Sequence, residues 1–383
     1  MKVPLFDYIV TPDNAIGKCN LAIVGGLCDE HDFTVFSVEF ENPCPERVRW
    51  VRVPALKRPL VALFLTFHVM AVACYLWHRI RTGARFDRVQ IVESNVLFGD
   101  ISYAHFCHGT YLRKHWRNAG ASGIRGVLRW LDHWLHAKLE PKTYSRVSHL
   151  VAPSRGLIRE LCDAYPSTGT KVRLISNGVD LDIWRRPEEF DREKFRTETG
   201  VEATDVVLAF VALGQYERKG LPILLEALAK AREPKLKVMV VGGTPSMAAT
   251  LRERADRIGL NGNVKFVSTR RDIRPYLWSA DALALPSHYE VFPLAALEGA
   301  AAGLPLLVTE LNGVEEFLRD GKNGLLTQRN VAAVSDCITR FTEIPMARRT
   351  EMGCQARLDV EPYAAENFVA AWREFYREVE RRG

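Results

Sequence analysis

The sequence predicts an α/β protein with two domains, each organised around a parallel sheet, and three observations carry that expectation. At 383 residues the chain is too long for one compact core. Short apolar or β-branched runs alternate with helical stretches, most clearly in the second half: Val206–Leu213, Lys237–Val241, Val264–Val267, Ala282–Leu285 and Pro305–Val308, with the helical stretches Leu221–Arg232 and Met247–Ile258 between them. Strand–helix alternation of that spacing builds parallel sheets. A turn signal, Asn177-Gly178-Val179-Asp180, is followed by a charged, weakly periodic stretch from Arg185 to Thr199, which marks the domain boundary.

In the first half, Val35–Glu39, Arg49–Val53, Arg88–Val92 and His149–Ala152 read as strands. Asp13-Asn14-Ala15-Ile16-Gly17-Lys18 breaks the first strand–helix unit, where Gly17 either turns the chain or lets a ligand approach the backbone. Leu60–Trp77 is apolar for about the length of a membrane span, but it holds His68 and is flanked by Lys57, Arg58, Arg79 and Arg81. A buried or interfacial helix is the expectation there. His105 and His108 end a strand-like run, Ile101–Ala104, which aims a histidine at a crevice. With no third ligand nearby their spacing does not predict a metal site.

Tyr111–Tyr144 sets Arg113, Lys114, Arg117, Arg125, Arg129 and Lys138 among Trp116, Trp130 and Trp134. It reads either as an interfacial helix on anionic lipid or as a solvated helix that packs its Trp face on the core. Glu361–Arg382, with Phe368, Trp372, Phe375 and Tyr376, reads as a closing helix.

The second half holds the densest candidate chemistry. Gly214-Gln215-Tyr216-Glu217-Arg218-Lys219-Gly220 runs from a strand end to a helix start, where free N–H groups, the helix dipole, Arg218 and Lys219 suit an anion. A solvated basic turn is the alternative. Gly242-Gly243 is a weaker turn of the same kind. The run Ser287 to Glu298 places Glu290 in a loop after a buried strand and Glu298 in the helix that begins near Pro293. Such carboxylates can accept hydrogen bonds from a ligand that carries hydroxyls at both ends, or they are two ordinary acids.

Bulk composition sets limits. The chain is 47% hydrophobic and 26% charged, an ordinary globular balance. Its formal charge of +6 fits an anionic ligand or membrane surface and is too modest to argue for nucleic acid. Eight cysteines (Cys19, Cys28, Cys44, Cys74, Cys107, Cys162, Cys337, Cys354) with no CxxC pair read as reduced thiols. The first ten residues are too quickly polar for a secretory signal, which gives a cytoplasmic expectation.

The ordered set GQYERKG, VGG, PSHYEVFPLAALEGAAAGLPLLVT and NGVEEFLRDGKNGLL, preceded by ISNGVD, resembles family 4 of the retaining glycosyltransferases over roughly half the chain. The first half matches in outline: Gly17 at the first loop, His108-Gly109 after a central strand, and VAPSRGLIREL. The resemblance implies a GT-B architecture of two facing Rossmann-like domains with a C-terminal helix crossing back. Residues 1–175 with 362–383 would bind the acceptor, and residues 176–361 the nucleotide-sugar donor.

By position in the motifs, Glu290 would contact the donor sugar, Glu298 the ribose, and Phe292, Pro293 and Leu294 the sugar and diphosphate. Arg218 and Lys219 would neutralise the diphosphate, with Gly214 and Gly17 beside it, and His108 would touch the sugar. His108, Lys219 and Glu290 are the catalytic candidates. The implied reaction moves a sugar from a UDP- or GDP-sugar to a saccharide or lipid-linked acceptor, with retention and without a metal or other cofactor. An epimerase or phosphorylase on the same fold, or a non-catalytic nucleotide-sugar binder, is the alternative. Val291, Gly299 and Gln215 depart from the family's usual glycine, alanine and arginine at these places.

Overall fold

A computed structural model describes residues 1–118 and 123–381. Residues 119–122 of the basic stretch and residues 382–383, which the expected closing helix includes in part, lie outside the described residues. The chain divides into two compact units, Met1–Gly178 with Ala365–Gly383, and Val179–Ala364. The turn signal at Asn177–Asp180 is the residue-level expectation for this boundary, and the resemblance implies 175/176 with a tail returning from residue 362.

The first unit carries a seven-stranded parallel sheet. Its strands are β1 (Lys2–Phe6), β2 (Asp32–Ser37), β3 (Arg49–Arg52), β4 (Gln90–Val92), β5 (Ile101–Tyr103), β6 (His149–Ala152) and β7 (Val172–Leu174), in spatial order β3-β2-β1-β4-β5-β6-β7. Three helices matter for function: α1 (Ala15–Leu27), α2 (Leu60–Thr82) and α3 (Gly123–Arg146). The C-terminal helix (Ala365–Arg381) belongs to this unit and buries Phe368, Trp372, Phe375 and Tyr376. It lies against α1 so closely that a Cβ on Gly26 would come within 2.6 Å of Val369.

The second unit carries β8 (Val206–Val211), β9 (Leu236–Val241), β10 (Val264–Val267), β11 (Ala282–Leu285), β12 (Leu306–Thr309) and β13 (Gly324–Thr327), in order β10-β9-β8-β11-β12-β13. Helices α4 (Leu221–Ala231) and α5 (Leu294–Ala301) follow β8 and β11. Helices cover both faces of such a sheet, so its central strands are apolar rather than alternating, and β11 is buried along its whole length. In both units the order reverses beside the first strand, which opens a crevice at the carboxyl ends of β1 and β4 and of β8 and β11.

None of the eight cysteines, all among the described residues, forms a disulfide, although Cys28 Sγ lies 2.8 Å from Cys44 Sγ.

Two parts of the first unit answer open readings. Helix α2 sinks Val61, Phe64, Phe67 and Ala71 into the core but leaves Leu65, Val69, Val72, Leu76 and Ile80 exposed. Those five lie four or three residues apart, so they form one stripe. Helix α3 is inside out: it buries Asp132, His136, Glu140 and Thr143 and exposes Ile124, Val127, Trp130 and Trp134. This corrects the expectation of a Trp face packed on the core. The two indoles do share a helical face, stacked at 6.2 Å, but that face points outward. The inward face is polar because it meets the buried end of β4 and the segment after β5.

Candidate functional site

At the carboxyl end of β8 the chain turns through Gln215 in a left-handed conformation, makes one helical turn over Tyr216–Lys219, and reaches Gly220 at φ +84°. A Cβ on Gly220 would sit 2.0 Å from Pro286 O, so glycine is what lets this loop close onto the end of β11. The closure is pinned by His288 N–H donating to Arg218 O at 2.7 Å. Arg218 Nη1 donates to Tyr289 O at 2.5 Å and its Nε to Gln215 Oε1 at 2.7 Å. Gln215 thus orients Arg218.

The result is a charge cluster. Glu290 Oε1 lies 2.7 Å from Lys219 Nζ and 3.4 Å from Arg218 Nη1, and it accepts from Ser287 Oγ at 3.1 Å. Glu290 is 8% exposed. Burial alone would raise its pKa, but the charges of Arg218 and Lys219 and the bonds from Lys219 and Ser287 outweigh it, so the carboxyl titrates below its usual range. The trio carries a net formal charge of plus one, next to the N-terminus of α4 with its own partial positive charge. The cluster can hold an anion against two cations while keeping an ionised acceptor for hydroxyls.

Its surroundings are braced. Tyr216 donates to Gly242 O at 2.6 Å, and a Cβ on Gly243 would collide with that hydroxyl. The VGG turn is therefore fitted to Tyr216. Phe292 is buried, Pro293 precedes α5 as its N-cap, and Leu294 is its first residue. A Cβ on Gly313 would meet Phe292 at 2.6 Å, so Asn312-Gly313 shapes the start of α5 from the β12 side. Glu298 is the fifth residue of α5 and half-buried. The next residue, Gly299, packs its bare Cα against Leu283 of β11. Gly214 follows β8 with room for a side chain, since a Cβ there would only touch Met247 at 3.6 Å.

Arg218, Lys219 and Glu290 are thus brought together directly. Phe292, Pro293, Leu294, Glu298 and Gly214 belong to the same β8/β11 end. Gly17 and His108 belong to the first unit.

Gly17 lies in the first turn of α1, its N–H held by the Asn14 side chain at 2.8 Å. A Cβ there would come within 2.6 Å of Ile9 O and 2.8 Å of Thr11 N, so glycine lets α1 press against the loop after β1.

His108 sits in a buried polar network that sequence reasoning missed. Its backbone N–H donates to Glu140 Oε1 at 2.8 Å, and Gly109 N–H to Glu140 Oε2 at 3.1 Å. Tyr165 donates to the same carboxylate. The imidazole lies between His133 Nδ1 at 2.9 Å and Glu93 Oε2 at 3.4 Å. Burial depresses the His108 pKa, but Glu93, Glu140 and Asp132 overcome it, so His108 titrates above its ordinary value. Asp132 is pushed up to about 6 by burial, against the pull of His108. His136 is driven well down by burial and then by the neighbouring histidines. His105 falls to about 3 through burial alone. At the β1 end Asp7, buried against Asn20, rises to about 7. The missed signal was the spacing Asp132, His136, Glu140, four residues apart on one helical face.

Glu93, His108 and His136 are the one trio among the described residues with ligand atoms within 4.8 Å of one another. The two imidazoles stack at 4.2 Å and 13°, so their in-plane lone pairs run side by side rather than converging on one ion. His136 Nδ1 is also engaged by Ser94 Oγ at 3.0 Å.

Comparison with known proteins accords with this architecture. Residues 18–183 match Glycosyltransferase Family 4, and residues 205–343 match Glycosyl transferases group 1. An uncharacterised glycosyltransferase of Methanocaldococcus jannaschii is 27% identical over 79% of this chain and 81% of its own length. A D-inositol 3-phosphate glycosyltransferase of Corynebacterium jeikeium is 31% identical over 44% of this chain, which spans only 42% of that enzyme.

Solved structures share the whole fold. WaaG, a glycosyltransferase involved in lipopolysaccharide biosynthesis, superposes with a TM-score of 0.77 at 20% identity over 96% of this chain and 98% of its own. The sucrose-phosphate synthase of Thermosynechococcus elongatus gives 0.79 at 16% identity over the full length of both chains. HepE of Anabaena in complex with UDP gives 0.75 at 17% identity over 99% of this chain and all of its own.

Proposed function

The chain is a glycosyltransferase of the GT-B fold, with a Glycosyltransferase Family 4 domain followed by a Glycosyl transferases group 1 domain, and we propose that it moves a sugar from a UDP- or GDP-sugar, with retention, onto a saccharide or lipid-linked saccharide. The observation that carries this reading is the Arg218–Lys219–Glu290 cluster at the reversal point of the second sheet. UDP-sugars are the first donors to test, since HepE is known in complex with UDP.

In this mechanism the departing nucleoside diphosphate gathers negative charge, and Arg218, Lys219 and the N-terminus of α4 are preorganised to stabilise it. The required positive charge is thus supplied by side chains, which supports a metal-independent reaction. Glu290, kept ionised by the same cations, accepts hydrogen bonds from the sugar hydroxyls, and Glu298 does so from the ribose. The sugar develops oxocarbenium character. The acceptor attacks from the face the diphosphate leaves, which keeps the anomeric configuration. His108, held by Glu93, His133 and Glu140, is the sugar-contacting histidine.

The outward apolar stripes of α2 and α3, with Arg79, Arg81, Arg125 and Arg129 beside them, support peripheral docking on an anionic membrane from the cytoplasmic side.

Product analysis with UDP- and GDP-sugars, with and without lipid extracts as acceptor, tests the reading. Transfer with retained anomeric configuration is expected. Isomerised nucleotide-sugar without acceptor would make the protein an epimerase, and a strict need for inorganic phosphate would make it a phosphorylase. Donor binding with neither transfer nor hydrolysis would leave only a binding protein.

A further inference from the structure

The first unit holds an open cavity of about 660 Å³ whose walls include Gly109, Leu112, Arg113, Trp134, Lys138 and Tyr165. That volume lies in the range of small-molecule sites, about 300–1,000 Å³. Its lining has two parts. Leu112, Trp134 and Tyr165 are largely apolar, whereas Arg113 and Lys138 bring two cations to the same space, and neither has an ion-pair partner among the described residues. Arg113 lies in a short π-helical turn, Tyr111–His115, that leads directly from His108-Gly109-Thr110.

The apolar wall does not stop at the cavity. Ile124, Val127, Trp130 and Trp134 follow one another by three or four residues along the outer face of α3, and Ala137 and Pro141 continue the same line into the lining. Ile124 is 81% exposed and Val127 64% exposed, which is costly surface to leave in water. An open apolar track therefore ends in a pocket that holds two unpaired cations.

We infer that this cavity seats the phosphate of a lipid phosphate, with the phosphate between Arg113 and Lys138 and the hydrocarbon chain along the α3 stripe. The inference rests on the glycosyltransferase reading and deepens it, since it gives the lipid-linked acceptor a phosphate seat beside Gly109. A phosphate monoester carries about −1.5 to −2 at neutral pH, matched by the two cations. Arg113 offers a planar fork to two oxygens, while Lys138, over the Trp134 ring at 5.8 Å, offers a point charge. A free phosphate would use the cations but not the track, and a nucleic acid would need a longer basic stripe than two residues. The floor of the pocket is fixed: Gly109 N–H and the Tyr165 hydroxyl both donate to the buried Glu140 carboxylate.

The test is isothermal titration of the full chain with dihexanoyl phosphatidic acid below its micellar concentration, beside dihexanoyl phosphatidylcholine and inorganic phosphate. Binding of the phosphatidic acid is expected, with the choline lipid and inorganic phosphate each at least about tenfold weaker. Arg113→Ala and Lys138→Ala should each weaken it about tenfold, the size of one charge-assisted hydrogen bond. Both residues are exposed, so an unchanged Tm should verify the fold of each variant. Trp134→Glu should abolish lipid binding by setting a carboxylate against the phosphate.

Equal affinity for inorganic phosphate would overturn the lipid assignment, as would binding indifferent to Arg113 and Lys138. The affinity for UDP- or GDP-sugar, measured on the same variants, separates two failures. A donor affinity that falls with the lipid affinity would assign the cavity to the donor and overturn the inference. Intact donor binding with no effect on lipid sinks the lipid site and leaves the transferase reading standing.

Discussion

Replacing Lys219 by alanine should separate stability from catalysis. In the folded protein Lys219 Nζ is 2.7 Å from Glu290 Oε1, and the carboxylate is buried. Removing the cation leaves Glu290 with Arg218 at 3.4 Å and the Ser287 hydroxyl at 3.1 Å. Breaking a fully buried pair costs about 3–5 kcal/mol. With Arg218 retained and Lys219 still 17% exposed, a cost of about 1–2 kcal/mol is the working figure. For a domain of this size that lowers Tm by roughly 2–8 °C. The double variant Lys219→Ala/Glu290→Gln removes the stranded charge and should recover most of that loss.

Activity should not follow. If Lys219 meets the leaving diphosphate, its loss costs about 10²–10³ in kcat, or roughly 2.7–4 kcal/mol of transition-state stabilisation. The double variant should be no faster than the single one. Steady-state kinetics with a saturating UDP-sugar and differential scanning of the same samples give both numbers. A single variant within about fivefold of wild type, or a double variant that regains activity along with Tm, would refute the reasoning, because Lys219 would then only neutralise Glu290.

Three further outcomes are expected. Gly220→Ala puts a Cβ against Pro286 O in a left-handed conformation; it should lower stability by about 2 kcal/mol or more and weaken UDP binding, both readable from one set of thermal scans with and without ligand. Asp7, raised from 3.8 to about 7, binds its proton more tightly folded than unfolded, so its contribution is present below about pH 4 and lost as pH rises through 7. Asp7→Asn should therefore gain on wild type by up to about 4 kcal/mol between pH 4 and 7.5 in urea unfolding, helped by an Asn20 carbonyl that lacks a partner; parallel pH curves would contradict it. Trp130→Ser/Trp134→Ser should move Tm by no more than about 2 °C, because these indoles face outward, yet it should reduce sedimentation with anionic vesicles; a core indole would cost about 3–5 kcal/mol on truncation.

The second unit was the more legible half, for a physical reason. A strand buried on both faces is apolar throughout, so Ala282–Leu285 is visible as a run with its observed ends. Its site is assembled from two loops that directly follow strands, so Arg218, Lys219 and Glu290 could be nominated from local position.

The first unit gave up less. The strand Val172–Leu174 is three residues long and half exposed around a central arginine, too short for a period-two pattern. In the second unit too one strand was hidden: Gly324–Thr327 opens on a glycine that a turn would also use, yet a Cβ there would meet Leu306 O at 2.3 Å. Helical periodicity showed that Trp130 and Trp134 share a face of α3, but periodicity cannot say which face turns inward. That was decided by the β4 and β5 ends, where Glu93 and His108 need polar partners. Gly17 looked like a phosphate-approach glycine, and the structure supplies a packing reason for it at Ile9 and Thr11.

Whether Arg218, Lys219 and Glu290 build a nucleotide-sugar site is decided by thermal shift of wild type and of the Arg218→Ala and Lys219→Ala variants against UDP-, GDP- and ADP-sugars. At a ligand concentration of about 100 Kd wild type should gain about 2.7 kcal/mol from one nucleotide class, and both variants should lose most of that gain at the same concentration. Equal stabilisation of all three proteins, or none of them by any nucleotide, would mean that these residues build no nucleotide-sugar site.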